Sequence, residues 1–299
     1  MNMEATSEGL TEANRWCAQV VRNRARNFWF GLRSLPEPKR SAMYAVYAWM
    51  RLVDDVADNT DSALSVEDRR TELQVFQETT ARVFDGKSFP SEPLWIAFAR
   101  MVESYQPPRV CFDEMIQGQM LDLEFKPYHN WPALREYCYH AASTVGLICV
   151  HVWGFDDPEA ETLAIDRGIA FQMTNILRDI REDAERGRCY LPLKELKAAG
   201  IDLQTLLDWS SPGRCRLFMR AQMARARKYY IASNRLEEMI SPDCRSTSRA
   251  MNDIYHGLLA KITRNPQQAV GMKRVRLGSL RKMTIAMRAR FLARSGYRK

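Results

Sequence analysis

Apolar residues recur along most of the chain at helical rather than strand spacing. Between residues 39 and 58, Met43, Val46, Met50, Val53 and Ala57 share one face of a 3.6-residue period, which predicts a helix turning that stripe to a core. The stripe carrying Tyr44, Tyr47, Arg51, Asp54 and Asp58 points elsewhere. The same reading gives helices over residues 11–30, 66–84, 112–121, 133–153, 160–185, 213–239, 246–264 and 280–293, with a further helix ending at Tyr105. Pro36, Pro38, Pro107, Pro108, Pro127, Pro158, Gly187, Pro192, Gly200 and Pro212 punctuate them. No useful run alternates with period two and no internal repeat stands out, so an all-α bundle is expected. Residues 1–14 read as a flexible N-terminus, and residues 15–299 as the domain, closing in a basic helix over 278–299.

Composition agrees with helices. Glycine and proline number only 14 and 13 in 299 residues, and 46% of the chain is hydrophobic, enough for a large core. Seven scattered cysteines without a C-x-x-C suit reduced thiols in a cytoplasmic protein. The first eleven residues are polar and acidic, so no secretory signal is expected. The most apolar stretch, residues 141–155, is too short for an untilted membrane span and contains His151.

Charge is unevenly placed. Residues 273–299 hold ten Lys or Arg and no acid, which leaves 34 basic against 36 acidic residues in the first 272. A generally cationic nucleic-acid surface is therefore not supported. The basic end reads either as a solvated helix packed on the bundle or as a peripheral attachment to anionic lipid on the inner membrane face.

Two polar stripes carry the candidate chemistry. At about 100° per residue, Arg51, Asp54 and Asp58 fall within roughly 60° of helix circumference, and Gln172, Asn175, Asp179 and Asp183 within roughly 80°. Each is a row of hard oxygen ligands flanked by arginine, beside an apolar face. The amide of Asn175 is a suitable Mg²⁺ ligand and lowers the like-charge repulsion of a dense carboxylate site. Two such stripes facing each other across a bundle can hold Mg²⁺ with a diphosphate between them. Other motifs fail. Gly86-Lys-Ser88 resembles the end of a P-loop, but Ala81 stands where its first glycine belongs. There is no G-x-G-x-x-G, and the four histidines form no H-E-x-x-H, so neither a dinucleotide nor zinc is expected.

Arg51-Leu-Val-Asp-Asp-Val-Ala-Asp58, Gln172-Met-Thr-Asn-Ile-Leu-Arg-Asp-Ile-Arg-Glu-Asp183 and Gly187-Arg-Cys-Tyr-Leu-Pro192 together resemble the squalene/phytoene synthase family. Tyr137-Cys-Tyr-His-Ala-Ala-Ser-Thr-Val-Gly146 matches its Y-C-Y-x-x-A-x-x-V-G helix. The ending Lys273-Arg-Val-Arg-Leu277 with Arg281-Lys282 is more similar to presqualene diphosphate synthases than to phytoene synthases. One departure is Ala25-Arg-Asn-Phe28, where the family often has a hydroxyl-rich segment; Asn27 then stands in the phosphate-holding place.

The resemblance implies a single isoprenoid-synthase bundle with a central apolar cavity. It implies Mg²⁺, or Mn²⁺, held by Asp54 and Asp58 on one wall and Asn175, Asp179 and Asp183 on the other. Arg51, Gln172, Arg178 and Arg274 would contact diphosphate, with Tyr190 nearby and Tyr137 close to the reacting carbons. Tyr47 is read either as a substrate contact or as packing, and Asp122 and Glu124 as a helix end or lid at the entrance. The expected reaction is head-to-head (1′–1) condensation of two farnesyl diphosphates to presqualene diphosphate, with or without a further step to squalene. The lean is against NADPH. The alternatives are phytoene synthase, acting on geranylgeranyl diphosphate, and a non-catalytic assembly protein of the same fold.

Overall fold

The computed structural model describes residues 7–25, 28–58 and 64–295; the side chains of Asp58 and of residues 293–295 are outside the described set. The helices, in order, are α1 (Ser7–Arg24), α2 (Trp29–Leu32), α3 (Lys39–Asp58), α4 (Val66–Phe84), α5 (Pro93–Tyr105), α6 (Arg109–Leu123) and α7 (Trp131–Cys138). There follow α8 (Thr144–Trp153), α9 (Glu159–Glu185), α10 (Leu193–Ala198), α11 (Leu203–Asp208), α12 (Pro212–Ala232), α13 (Leu236–Met239), α14 (Arg245–Arg264) and α15 (Ser279–Ser295). Among the described residues no strand forms; one isolated bridge joins Phe155 to Ile240. No helix among them is long and apolar enough to cross a membrane.

Local chemistry sets many of these limits. Ser65 and Asp68 form a capping box that starts α4, so the expected and observed bounds coincide at residues 66–84. Gly187, at φ +74°, lets the chain turn out of α9. Three expectations are corrected. The first helix starts at Ser7, because Ala13 and Cys17 are buried and α1 packs on α3 and α5; the flexible N-terminus therefore does not reach residue 14. The helix expected over 133–153 is interrupted by a π-helical turn at Tyr139–Ser143. That over 213–239 breaks after Ala232, where the buried Ser233 hydroxyl bonds the Tyr229 carbonyl.

Two apolar clusters make the core. One gathers α1, α3, α5, α6 and α8 around Trp49, Phe98 and Phe112; the other gathers α12 and α14 around the second half of α9. Helix α9 belongs to both and lies against α8, α12 and α14. It approaches its neighbours closely because glycines face them. A Cβ added to Gly168 would lie 2.5 Å from Ser143 Cα and 2.7 Å from the Ala142 carbonyl oxygen. One added to Gly146 would lie 2.7 Å from the Ala164 carbonyl oxygen. Backbone cannot yield as a side chain can, so these contacts fix the spacing of α8 and α9. Gly168→Ala is expected to destabilise the fold by about 1–3 kcal/mol in chemical denaturation, while Gly213→Ala, with open space around it, leaves stability unchanged or raised.

A buried ion pair ties α9 to the elements behind it. Arg167 donates to Glu237 Oε1 at 2.8 Å and to Ser233 Oγ at 2.9 Å, and Ser248 donates to the same Glu237 oxygen at 2.8 Å. Burial opposes ionisation of Glu237, but Arg167 and Ser248 outweigh it and its pKa is lowered. A lowered folded pKa gives stability that is present above the ordinary carboxylate value and lost as pH falls through the folded one. Glu237→Ala strands the Arg167 charge and is expected to cost about 3–5 kcal/mol at neutral pH. Its denaturation midpoint should also fall less on acidification than that of the unsubstituted protein.

Candidate active site

Between the two cores lies a cavity of about 700 Å³. Its wall follows α9 from Ala164 to Asp183, about 28 Å at 1.5 Å per residue. Along that line the lining changes character. Around Ala164 and Gly168 it is mostly apolar, with Val145, Cys149, Val150, Trp153, Phe171, Leu236 and Met251, and its polar members there, Arg167 and Ser248, are bound to Glu237; toward the end of α9 it is crowded with charge.

The structure brings most of the expected residues together. Arg51 and Asp54 from α3, Tyr137 from α7, Gln172, Asn175, Arg178, Asp179 and Asp183 from α9, and Tyr190 and Arg274 from loops all line this cavity. Tyr47 lines an adjoining pocket of about 330 Å³ that shares Arg51, Asp54, Asn175, Arg178 and Arg274 with it. Burial, against a smaller opposing effect of Arg51, pushes the Tyr47 phenol up to about 12. Asn27 and the Asp58 side chain lie outside the described residues.

Asp179 is the most tightly held acid. Arg178 donates to its two oxygens at 2.7 and 2.6 Å, and Arg274 to the same two at 2.7 and 2.6 Å. Burial works against its ionisation, yet the two guanidiniums win and keep its carboxyl below the ordinary range. Asp183, one turn on, has no such clamp. Burial, and then the charges of Asp179 and Glu182, push it up to about 7. On α3, Asp54 accepts from Gln119 Nε2 at 2.8 Å, and Asp55 pairs with Arg51 and with Arg24 rather than facing α9.

The donor set fits a hard divalent cation. Asn175 donates through Nδ2 to Gln172 at 3.2 Å, which aims its amide and leaves the buried Oδ1 with no hydrogen-bond partner. A buried carbonyl oxygen without a donor, and two turns further along the same face an acid whose charge is opposed by burial and then by its like-charged neighbours, suit a cation. Among the described residues no three acids, histidines or cysteines form a ready-made cage. That is compatible with Mg²⁺, which commonly takes only one or two carboxylates and completes its shell with water and substrate phosphate. Seven arginines (24, 51, 178, 186, 188, 274 and 276) surround the five acids of this end, so the excess charge favours an anion.

Of the two readings of Asp122, helix end or lid, the structure gives the helix end, since α6 closes at Leu123, though its place inside the cavity was not legible in the sequence. It is 8% exposed and lines the cavity, so it is no lid. Tyr137 and Tyr190 each donate to one of its oxygens at 3.0 Å, and Arg188 donates to its backbone carbonyl at 3.3 Å. The two phenol rings stack at 4.9 Å, with Tyr128 against both. Burial, and then the Asp122 charge, raise both phenols above their usual value, so both are neutral donors at pH 7. Gln119 and Arg188 were missed too. The available signal was the three-residue spacing of Gln119 and Asp122, which puts both on one face of α6.

Residues 21–281 match the family described as squalene/phytoene synthase. A phytoene synthase of Mycobacterium tuberculosis is 34% identical over 284 residues, covering 94% of this chain and 91% of that one. A 15-cis-phytoene synthase of Synechococcus elongatus is 34% identical, with 86% and 85% covered. In three dimensions a squalene synthase from Alicyclobacillus acidocaldarius superposes with a TM-score of 0.78 at 25% identity, over 88% of this chain and 98% of that one. A dehydrosqualene synthase solved in complex with ligand shares the fold, with a TM-score of 0.83 at 24% identity over 96% and 99% of the two chains.

The Asp122–tyrosine cluster gives a direct test of this geometry. In a double-mutant cycle of Tyr137→Phe and Asp122→Asn, chemical denaturation should show a coupling of about 1.5–3 kcal/mol, the range of a hydrogen bond to a charged group. Strictly additive effects would mean the bond does not form.

Proposed function

The chain belongs to the squalene/phytoene synthase family, and within that family of head-to-head prenyltransferases we propose that it joins two geranylgeranyl diphosphates 1′–1, as a phytoene synthase does. The observation that carries the reaction is that Arg51 and Asp54 of α3 and the polar stripe of α9 line one cavity whose continuation is mostly apolar. Support for the longer substrate comes from relatives named phytoene synthase that align with nearly the whole chain. This departs from the farnesyl substrate favoured by the C-terminal motif. That motif, Lys273–Leu277 with Arg281 and Lys282, keeps presqualene diphosphate formation from two farnesyl diphosphates as the second reading.

Asp54 on one wall and Asn175, Asp179 and Asp183 on the other, joined by Asp58 on the strength of the family resemblance, are the residues that would hold Mg²⁺, which when bound neutralises charge on a departing diphosphate. Arg51, Arg178 and Arg274 bind the diphosphate oxygens. For Arg178 and Arg274 this means leaving Asp179, an exchange of one anion for another. Gln172 keeps the Asn175 oxygen aimed into the site. Once the C–O bond breaks, the apolar lining from Phe171 to Trp153 excludes water from the allylic cation, and the faces of Phe171 and Tyr255, stacked at 4.3 Å, offer it electron density. The second prenyl chain attacks with its 2,3-double bond, and ring closure releases a proton. Tyr137 is neutral, so it takes that proton only while passing its own to Asp122, 3.0 Å away.

Incubating the purified protein with Mg²⁺ and either geranylgeranyl or farnesyl diphosphate, without and with NADPH, tests the reading by mass spectrometry of the extracted lipid. A C40 product from geranylgeranyl diphosphate, unchanged by NADPH, is expected. A C30 product from farnesyl diphosphate alone replaces it with the second reading, and no turnover of either sinks both. Asp54→Ala and Asp179→Ala should each lower turnover at least a hundredfold, about 2.7 kcal/mol or more, while circular dichroism stays unchanged.

A further inference from the structure

We propose that α15 seats this protein on anionic lipid bilayers through its outward face. A helix that merely packs on a bundle keeps its apolar residues inward and its polar ones outward. Helix α15 does otherwise. It packs on α14 and α2 with Ala289 buried and Ile285 half-buried, and with Lys282 reaching over the Phe30 ring at 5.9 Å. On the opposite side, Leu280 is 76% exposed, Met283 37%, Met287 57% and Phe291 71%. At about 100° per residue these four share an arc of roughly 80°. They are one ridge of large apolar side chains rather than scattered ones. Exposed cations border the ridge, Arg290 on one flank and Arg281 and Arg288 on the other.

Apolar contact flanked by cations on both sides is what a helix lying in a headgroup layer requires, since the ridge enters the acyl boundary while the arginines meet lipid phosphates. Charge complementarity selects the occupant. The segment from Lys273 onward has ten cations and no acid, so it attracts an anionic surface and repels a second copy of itself. Position adds the same argument. Lys282, on the inward side of the first turn of α15, shares a pocket with Arg51, Asp54, Asn175 and Arg178, so α15 stands between the charged end of the site and the surface it would dock. The inference stands apart from the proposed reaction, because vesicle binding needs no prenyl substrate.

The test is co-sedimentation of the full chain with phosphatidylglycerol–phosphatidylcholine vesicles. Sedimentation at low salt, weakened in 0.5 M NaCl and with pure phosphatidylcholine, is expected. Replacing Arg281, Arg288 and Arg290 with Gln should weaken partitioning on the order of a hundredfold. Replacing Leu280, Met287 and Phe291 with Ser should abolish it, with helicity and turnover of detergent-dispersed substrate intact. Failure of the unsubstituted protein to sediment, or equal sedimentation of the serine variant, overturns the proposal. So does a serine variant that changes only the oligomeric state in analytical ultracentrifugation, which would make this face an interface between copies.

Discussion

Asp179 is gripped by two guanidinium groups, and much of the site follows from that grip. A carboxylate this buried must be compensated. Arg178 comes from the same helix, one residue back, while Arg274 comes from the loop after α14, 95 residues away in sequence. The clamp therefore ties the C-terminal strap to the end of α9. It also stores two cations at the charged end of the cavity, where the proposed diphosphate would bind. Arg274 also reaches Glu182 at 3.4 Å, but the clamp does not extend to Asp183, which burial and like charge push up to about 7. One end of the cavity is thus poised between too much negative charge and a surplus of arginine, a balance that a diphosphate and divalent cations would resolve together.

Such a cluster sits beside an apolar cavity only because the helices behind it are held firmly. Gly168 and Gly146 bring α9 and α8 to backbone contact, and the Arg167–Glu237–Ser248 network fastens α9 from behind. The π-helical turn at Tyr139–Ser143 lies where Gly168 meets Ser143 and just after Tyr137. Rigid spacing on that side keeps Tyr137, Tyr190 and Asp122 together, with their hydroxyls turned to one carboxylate.

The chemistry is laid out as a gradient along a single helix. Reading along α9, small and apolar lining residues, with Arg167 among them neutralised by Glu237, give way to Gln172 and Asn175 and then to Asp179 and Asp183. A prenyl diphosphate has the same polarity, hydrocarbon at one end and charge at the other. The basic strap and α15 extend the charged end outward to the surface.

Much of this was legible in the sequence. Helical periodicity determined the class and most of the helix limits, because apolar spacing and capping residues act within a few positions of one another. Both polar stripes could be read for the same reason: a helix places residues three and four apart on one face whatever surrounds it. Contacts between distant segments were another matter. Arg274 closing on Asp179, Gln119 reaching Asp54, and Asp122 lying under two phenols rather than at a lid all depend on how helices cross. No local spacing encodes that. The π-turn between α7 and α8 escaped as well: it lies against Gly168 of a distant segment, in a stretch whose local pattern reads as continuous helix. The outward apolar ridge of α15 is of the same kind: the sequence supplied two apolar faces, and only packing against α14 and α2 decided which of them was left outside.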